Sequence, residues 1–104
     1  QRLGCPGLRY VEAGRVCKKI AVGGGACGGE LELAVEAGCD TFVTGDVKYN
    51  QFRDSLDSGM NLIDAGHFWT ENPVCAALAA KLQSAFPELV VQISEKHRDC
   101  MKFF

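Results

Sequence analysis

The sequence predicts an α/β layered domain with a largely parallel sheet, and three observations carry that prediction. Short apolar runs alternate with amphipathic stretches in the order β-α-β-α-β-α-β along 104 residues. Glycine or proline marks most junctions (Gly23-Gly24-Gly25, Gly38, Gly45, Gly59, Pro73, Pro87), which implies short connections. The composition, 47% hydrophobic and 23% charged, is that of an ordinary globular chain with a modest single core.

Residues 1–14 carry four breakers, Gly4, Pro6, Gly7 and Gly14, and read as an irregular linker or truncated beginning before an α/β lobe over 15–104. The run R-V-C-K-K-I-A-V at 15–22 reads as the first strand. A glycine loop at 23–29 leads to a helix over 30–37, closed by Gly38. T-F-V-T at 41–44 is the second strand. Residues 48–58 form a second helix with Tyr49, Phe52 and Leu56 on one face, and Gly59 ends it. N-L-I-D-A at 61–65 is the third strand. A third helix over 73–86 takes Pro73 in its first turn, sets Val74, Ala77, Leu78 and Leu82 in a buried stripe, and stops at Pro87. L-V-V-Q-I at 89–93 reads as a fourth strand, followed by a polar tail that ends at 101–104.

Bulk properties narrow the function. A net charge of -2 offers no basic field, and Lys18-Lys19 and Lys96-His97-Arg98 are too short for nucleic-acid tracts, so nucleic acid is a poor partner. No apolar run approaches the roughly 18 residues of a membrane helix, and no basic-then-apolar leader opens the chain. A cytoplasmic protein without a membrane partner is expected. Cys5, Cys17, Cys27, Cys39, Cys75 and Cys100 lie singly, with no C-x-x-C among them. That spacing fits neither a zinc ribbon nor a redox pair, so free thiols are expected. Cys27, in the glycine loop, is the one placed where a thiol pKa tends to fall, although its neighbours in sequence supply no base.

Parallel pairing would bring the loops after the first three strands to one edge, where ligands bind in open α/β sheets. The glycine loop, Asp46-Lys48 and His67–Glu71 should meet there. His67 is expected just past the third strand, and Glu71 at the mouth of the helix that Thr70 or Asn72 caps. A neutral imidazole and a carboxylate converging at such an edge suit Zn, Fe, Mn or another first-row ion. The plainer reading makes His67 a hydrogen-bonded turn residue and Glu71 a complement to the helix dipole. A second hypothesis uses Gly23, Gly25 and Gly28 in G-x-G-x-x-G spacing, with Asp46 as the ribose-binding acid of a dinucleotide site. Its plainer counterpart is a loop stripped of side chains so that another chain or domain can pack on it. Asp46 and Lys48 form either an acid/base pair or a solvated turn. Trp69 either lines a pocket or covers the sheet edge, and His97 reads as a surface residue.

The blocks A-V-G-G-G-A-C-G-G at 21–29, V-T-G-D-V-K-Y at 43–49, N-L-I-D-A-G-H-F-W-T-E at 61–71 and I-S-E at 93–95 resemble the carboxyl-terminal portion of the Nif-three-like family of dinuclear-metal hexameric proteins. Its members often carry the name GTP cyclohydrolase I type two homologue. The resemblance spans nearly everything from 15 to 99, and its most specific part is D-A-G-H-x-x-T-E after G-D-x-K-Y. It implies a site holding two divalent ions (Zn, Fe, Mn or Mg), with His67 and Glu71 as ligands. Asp64 and Thr70 would support them, and Asp46, Lys48 and Trp69 would line the pocket. The family's remaining ligands, a His-His pair and an Asp, belong to an amino-terminal half outside this sequence. The resemblance further implies a homo-oligomer and a small-molecule substrate, with metal-activated water attacking a purine ring. Alone, the lobe should be inactive or nearly so; a non-catalytic assembly module is a third reading. Three departures bear on the pocket: Asn50 where His often follows G-D-x-K-Y, the bulk of Trp69, and the ending S-E-K-H-R-D-C with His97 and Cys100 in place of the usual acidic stretch.

Overall fold

The sheet is built on register. In the computed structural model, which describes residues 3–103, four strands pair in the order β1-β4-β3-β2. These are β1 (Arg9–Val11), β2 (Ile20–Val22), β3 (Thr41–Thr44) and β4 (Asn61–Asp64). The last three are parallel, and β1 joins the far edge antiparallel to β4. Because side chains alternate between faces, the register places Val11, Leu62, Phe42 and Ala21 in one row across the sheet. All four belong to the core, together with Leu31 and Ala34 from helix α1 (Leu31–Glu36), Val47, Met60 and Phe52. Phe52 comes from helix α2 (Tyr49–Asp57). Helix α3 (His67–Glu71) is a single turn, joined through Asn72 to α4 (Pro73–Ala85) with Pro73 at its start. The expected α/β class with a largely parallel sheet is what forms. Gln1, Arg2 and Phe104, the outermost residues of the expected 1–14 and 15–104 segments, lie outside the described residues.

Several expected elements differ. The first, 1–14, contains β1, which takes the free edge of β4 with Val11 opposite Leu62 and Arg9 opposite Asp64. The expected strand at 15–22 shrinks to Ile20–Val22 because side chains take its early backbone groups. The N–H groups of Lys18 and Lys19 donate to the Asp40 carboxylate, and the carbonyl of Arg15 accepts from Asn61 Nδ2. The expected strand at 89–93 does not form. Gln83 Nε2 donates to the carbonyls of Pro87 and Leu89, which turns the chain back along α4 instead of toward a sheet edge; Val90 stays 85% exposed. The stripe on α4 is not buried either, since Val74 and Leu78 are exposed and the helix has no buried residue. On α2, Tyr49 and Leu56 are exposed, and the face against the core presents Phe52 and buried Ser55, whose hydroxyl donates to the carbonyl of Met60.

These uncovered surfaces make the molecule long, 52 × 35 × 22 Å. Its radius of gyration, 16.1 Å, exceeds the roughly 13 Å of a close-packed domain of this size. All six cysteines are free thiols and only Cys39 is buried. No helix among the described residues is long and apolar enough to cross a membrane.

Candidate functional site

The carboxyl ends of β2, β3 and β4 deliver three loops to one edge, and backbone hydrogen bonds stitch them together. The N–H of Gly45, after β3, donates to the carbonyl of Gly25, after β2 (2.8 Å). The N–H of Gly25 donates to Thr70 Oγ1 on α3 (2.9 Å), whose hydroxyl is also within reach of the carbonyls of Gly66 and His67. Thr44 is fully buried; its hydroxyl donates to the carbonyl of Gly25 and accepts from the N–H of Cys27. The predicted clustering of Gly25, Asp46, His67 and Glu71 is therefore real.

Two glycines permit the approach. A Cβ on Gly45 would lie 2.6 Å from the backbone N of His67. A Cβ on Gly25, where φ is +71°, would overlap Glu71 Oε1 and lie 3.1 Å from His67 Nε2. The loop is bare because the carboxylate and imidazole fill the space beside it.

His67 opens α3 and Glu71 closes it, one turn apart on the same face. His67 was expected just past the third strand and Glu71 at the mouth of the next helix; the short helix α3 between them is what aligns them. Asn72 occupies the N-cap position of α4, as expected, but its side chain makes no capping hydrogen bond, and Thr70 lies within α3. His67 Nε2 lies 3.1 Å from Glu71 Oε2, and Nδ1 lies 2.7 Å from Asp46 Oδ2. Asp46 on Nδ1 holds the imidazole pKa above the ordinary 6.5, and attraction from Glu71 adds to this while partial desolvation opposes it. Asp46 stands in the left-handed region with φ +52°, a conformation that costs a non-glycine residue on the order of 1 kcal/mol. The strain coincides with its carboxylate reaching His67.

Asp64, 5% exposed, does not face the imidazole. Its Oδ2 accepts from the Arg9 guanidinium and from the N–H of Val47 (3.0 Å), and its Oδ1 from the N–H of Gly66 (3.0 Å). Lys48 begins α2 on the surface, where its N–H donates to Gln51 Oε1; among the described residues no ion pair joins it to Asp46. Trp69 turns from the His67 cleft into the adjoining hollow under 94–103, packing edge-on against Phe68. The His67 cleft encloses about 480 Å³ between Asp46, His67, Glu71 and Cys75 on one side and residues 97–101 on the other. The tail therefore contributes His97 and Arg98 to this wall, and the His97 ring lies 5.1 Å from Phe68.

The donor set suits a divalent ion. Metal–donor lengths of about 2.1 Å and angles between tetrahedral and octahedral separate two donors on one ion by roughly 3.0–3.4 Å. The Nε2 to Oε2 separation of 3.1 Å falls in that range. A carboxylate on the opposite ring nitrogen is the usual outer partner of a metal-binding histidine. Two donors are fewer than a closed site uses, and among the described residues no group of three or more His, Cys, Asp or Glu is placed to hold an ion by itself. The dinucleotide arrangement fits less well, because the N–H groups of Gly23, Gly25 and Cys27 are engaged within the protein. Gly28 instead gives close room to the Gln51 side chain.

The family model for Duf34/NIF3 (NGG1p interacting factor 3) matches residues 1–99. The chain belongs to this family. Among curated relatives, a Nostoc protein named GTP cyclohydrolase 1 type 2 homolog is 39% identical over 90 residues, covering 86% of this chain and 34% of that protein. A Staphylococcus aureus protein of the same name is 41% identical over 68 residues, covering 64% of this chain and 19% of its own length. The chain thus spans about a third or less of these relatives. Among solved structures, a Staphylococcus aureus hypothetical protein superposes with a TM-score of 0.87 at 31% identity, over 99% of this chain and 36% of that one. A Bacillus cereus protein related to NIF3 gives 0.76 at 28% identity, over 98% and 29%. The Duf34/NIF3 fold of this lobe is therefore shown along nearly its whole length.

Arg9 is the participant that sequence reasoning missed. Its contacts are with residues 38 and 55 positions away, Val47 and Asp64. Such long-range pairing leaves no local signal in the sequence around Arg9, which lies between Gly7 and Gly14.

Proposed function

We infer that this Duf34/NIF3 lobe supplies part of a two-metal site, with His67 Nε2 and Glu71 as ligands and Asp46 orienting the imidazole. The observation that carries this is the arrangement of the two donors: 3.1 Å apart, with Asp46 on the other ring nitrogen and Gly25 without a side chain where a Cβ would collide with Glu71. A divalent ion supplies Lewis acidity, which metal-dependent hydrolysis of a nucleotide-like substrate would draw on, in keeping with the name its relatives carry. Here His67 must offer an unprotonated Nε2, Asp46 holds the proton at Nδ1, and Glu71 supplies charge. The remaining ligands come from outside this lobe, as its share of its relatives' length accommodates. Zn, Fe, Mn and Mg are the ions considered. The test is elemental analysis after dialysis, on this chain and on His67→Ala. Bound metal in the parent that is lost in the variant supports the reading; metal held equally by the parent and by His67→Ala overturns His67 as a ligand.

The exposed apolar residues of α4 favour a second reading, an assembly role within a homo-oligomer. Under that reading self-association measured by sedimentation survives His67→Ala unchanged.

A further inference from the structure

Arg9, Asp64 and Thr44 are register partners across three strands, at the end of the sheet where the site loops leave. The Asp64 carboxylate binds the two backbone positions that flank the Asp46–His67 pair. Val47, held at its N–H, directly follows Asp46; Gly66, held at its N–H, directly precedes His67. Arg9 holds the same residue from its other side, because Nη2 donates to the carbonyl of Val47, in the next peptide (3.0 Å), as well as pairing with Asp64. The guanidinium itself lies over the Phe52 ring of α2, 5.4 Å from its centroid. One buried carboxylate and one arginine thus tie both sides of a two-residue contact to the sheet.

We propose that Arg9 and Asp64 are positioning residues that set the Asp46–His67 contact and, through it, which imidazole nitrogen faces an incoming ion. The proposal rests on the metal-binding reading for its consequence, but not for the contact itself. Without the clamp, the left-handed turn at Asp46 loses the constraint on Val47, its carboxylate drifts from Nδ1, and the proton is free to occupy either ring nitrogen.

Three bonds converge on Asp64, so removing it endangers folding. Arg9 is the better probe, because its side chain is 62% exposed and lies outside the core. The experiment uses this chain, Arg9→Gln, Asp46→Asn and the double variant, with thermal melts to confirm folding. Ring ¹⁵N spectra of His67 at one fixed alkaline pH report where the proton sits, without any metal. Co²⁺ titration followed by visible absorption reports affinity. In the parent, Nδ1 should carry the proton; in Arg9→Gln the two ring nitrogens should share it. Co²⁺ affinity should then fall about two- to thirtyfold. That loss should largely vanish in the Asp46→Asn background, because the two variants act on one contact. An unchanged ring spectrum in folded Arg9→Gln, or losses that simply add in the double variant, overturns the proposal. A ring spectrum that responds while neither the parent nor any variant binds Co²⁺ upholds the clamp and overturns the two donors as a site sufficient on this lobe.

Discussion

Replacing Gly25 with alanine is expected to separate metal binding from folding. The residue has φ +71°, which costs an alanine about 1–2 kcal/mol. The new methyl would also overlap Glu71 Oε1 and lie 2.9 Å from its Cδ. That carboxylate ends a flexible side chain that is 54% exposed, so it should swing away at little further cost. The melting temperature should drop by roughly 4–16 °C, the usual yield of such a loss in a domain this small. Swinging away removes Glu71 from His67, and losing a ligand should cost at least the ~10–100-fold that outer-shell losses cost in metal affinity. Gly59→Ala is the control, since φ there is +67° but nothing lies within 4 Å of the added carbon. It should lose comparable stability and keep parental affinity. Co²⁺ titration alongside thermal denaturation reads both quantities. Parental affinity in Gly25→Ala, or an equal loss in Gly59→Ala, would refute the claim that the bare loop exists to make room for the donors.

Three further outcomes are expected. The Asp46–His67 pair gives opposite pH dependences: its contribution to metal-free stability is full below the ordinary imidazole value and is lost as pH rises through the raised one, whereas metal affinity grows over that same rise because the ion displaces a proton. Calorimetric titrations in buffers of different ionisation enthalpy should show proton release, and urea midpoints should show the stability trend. Asp40, held below the usual carboxylate range chiefly by the N–H of Lys19 against the opposing effect of burial, with help from the Thr41 hydroxyl, Lys18 and Arg15, contributes stability that is lost as pH falls through its lowered value. Asp40→Asn should flatten that acid limb in urea titrations. Thr44→Val removes the buried hydroxyl between Gly25 and Cys27; a stability loss of about 1–3 kcal/mol should appear as a lower urea midpoint with unchanged slope.

The parallel strands and the meeting of their loops were legible because alternation, glycine punctuation and strand spacing are local patterns. His67, Glu71 and Asp46 were legible by type and position. Their geometry was not, because the turn of helix between His67 and Glu71 is fixed by Thr70 and Gly25, 45 residues apart. Asp64 reads in sequence as a residue near the site. Only the register with β1 shows that it faces Arg9. The strand expected at 89–93 failed for a similar reason: β-branched composition makes a segment fit a sheet, but a free edge within reach must exist, and Gln83 steers the chain elsewhere.

The bareness of α4 has a consequence for the site through local opening. Thirteen residues are close to the minimum length for an isolated helix in water, and α4 buries no side chain that would hold it shut. It should therefore open at far lower free energy than the sheet. Glu71 is separated from it by Asn72 alone, so each opening loosens one donor while His67, anchored by Asp46, stays in place. A surface that covered Val74 and Leu78 would then tighten metal binding without contributing a ligand, by removing disorder that the ion would otherwise have to remove itself.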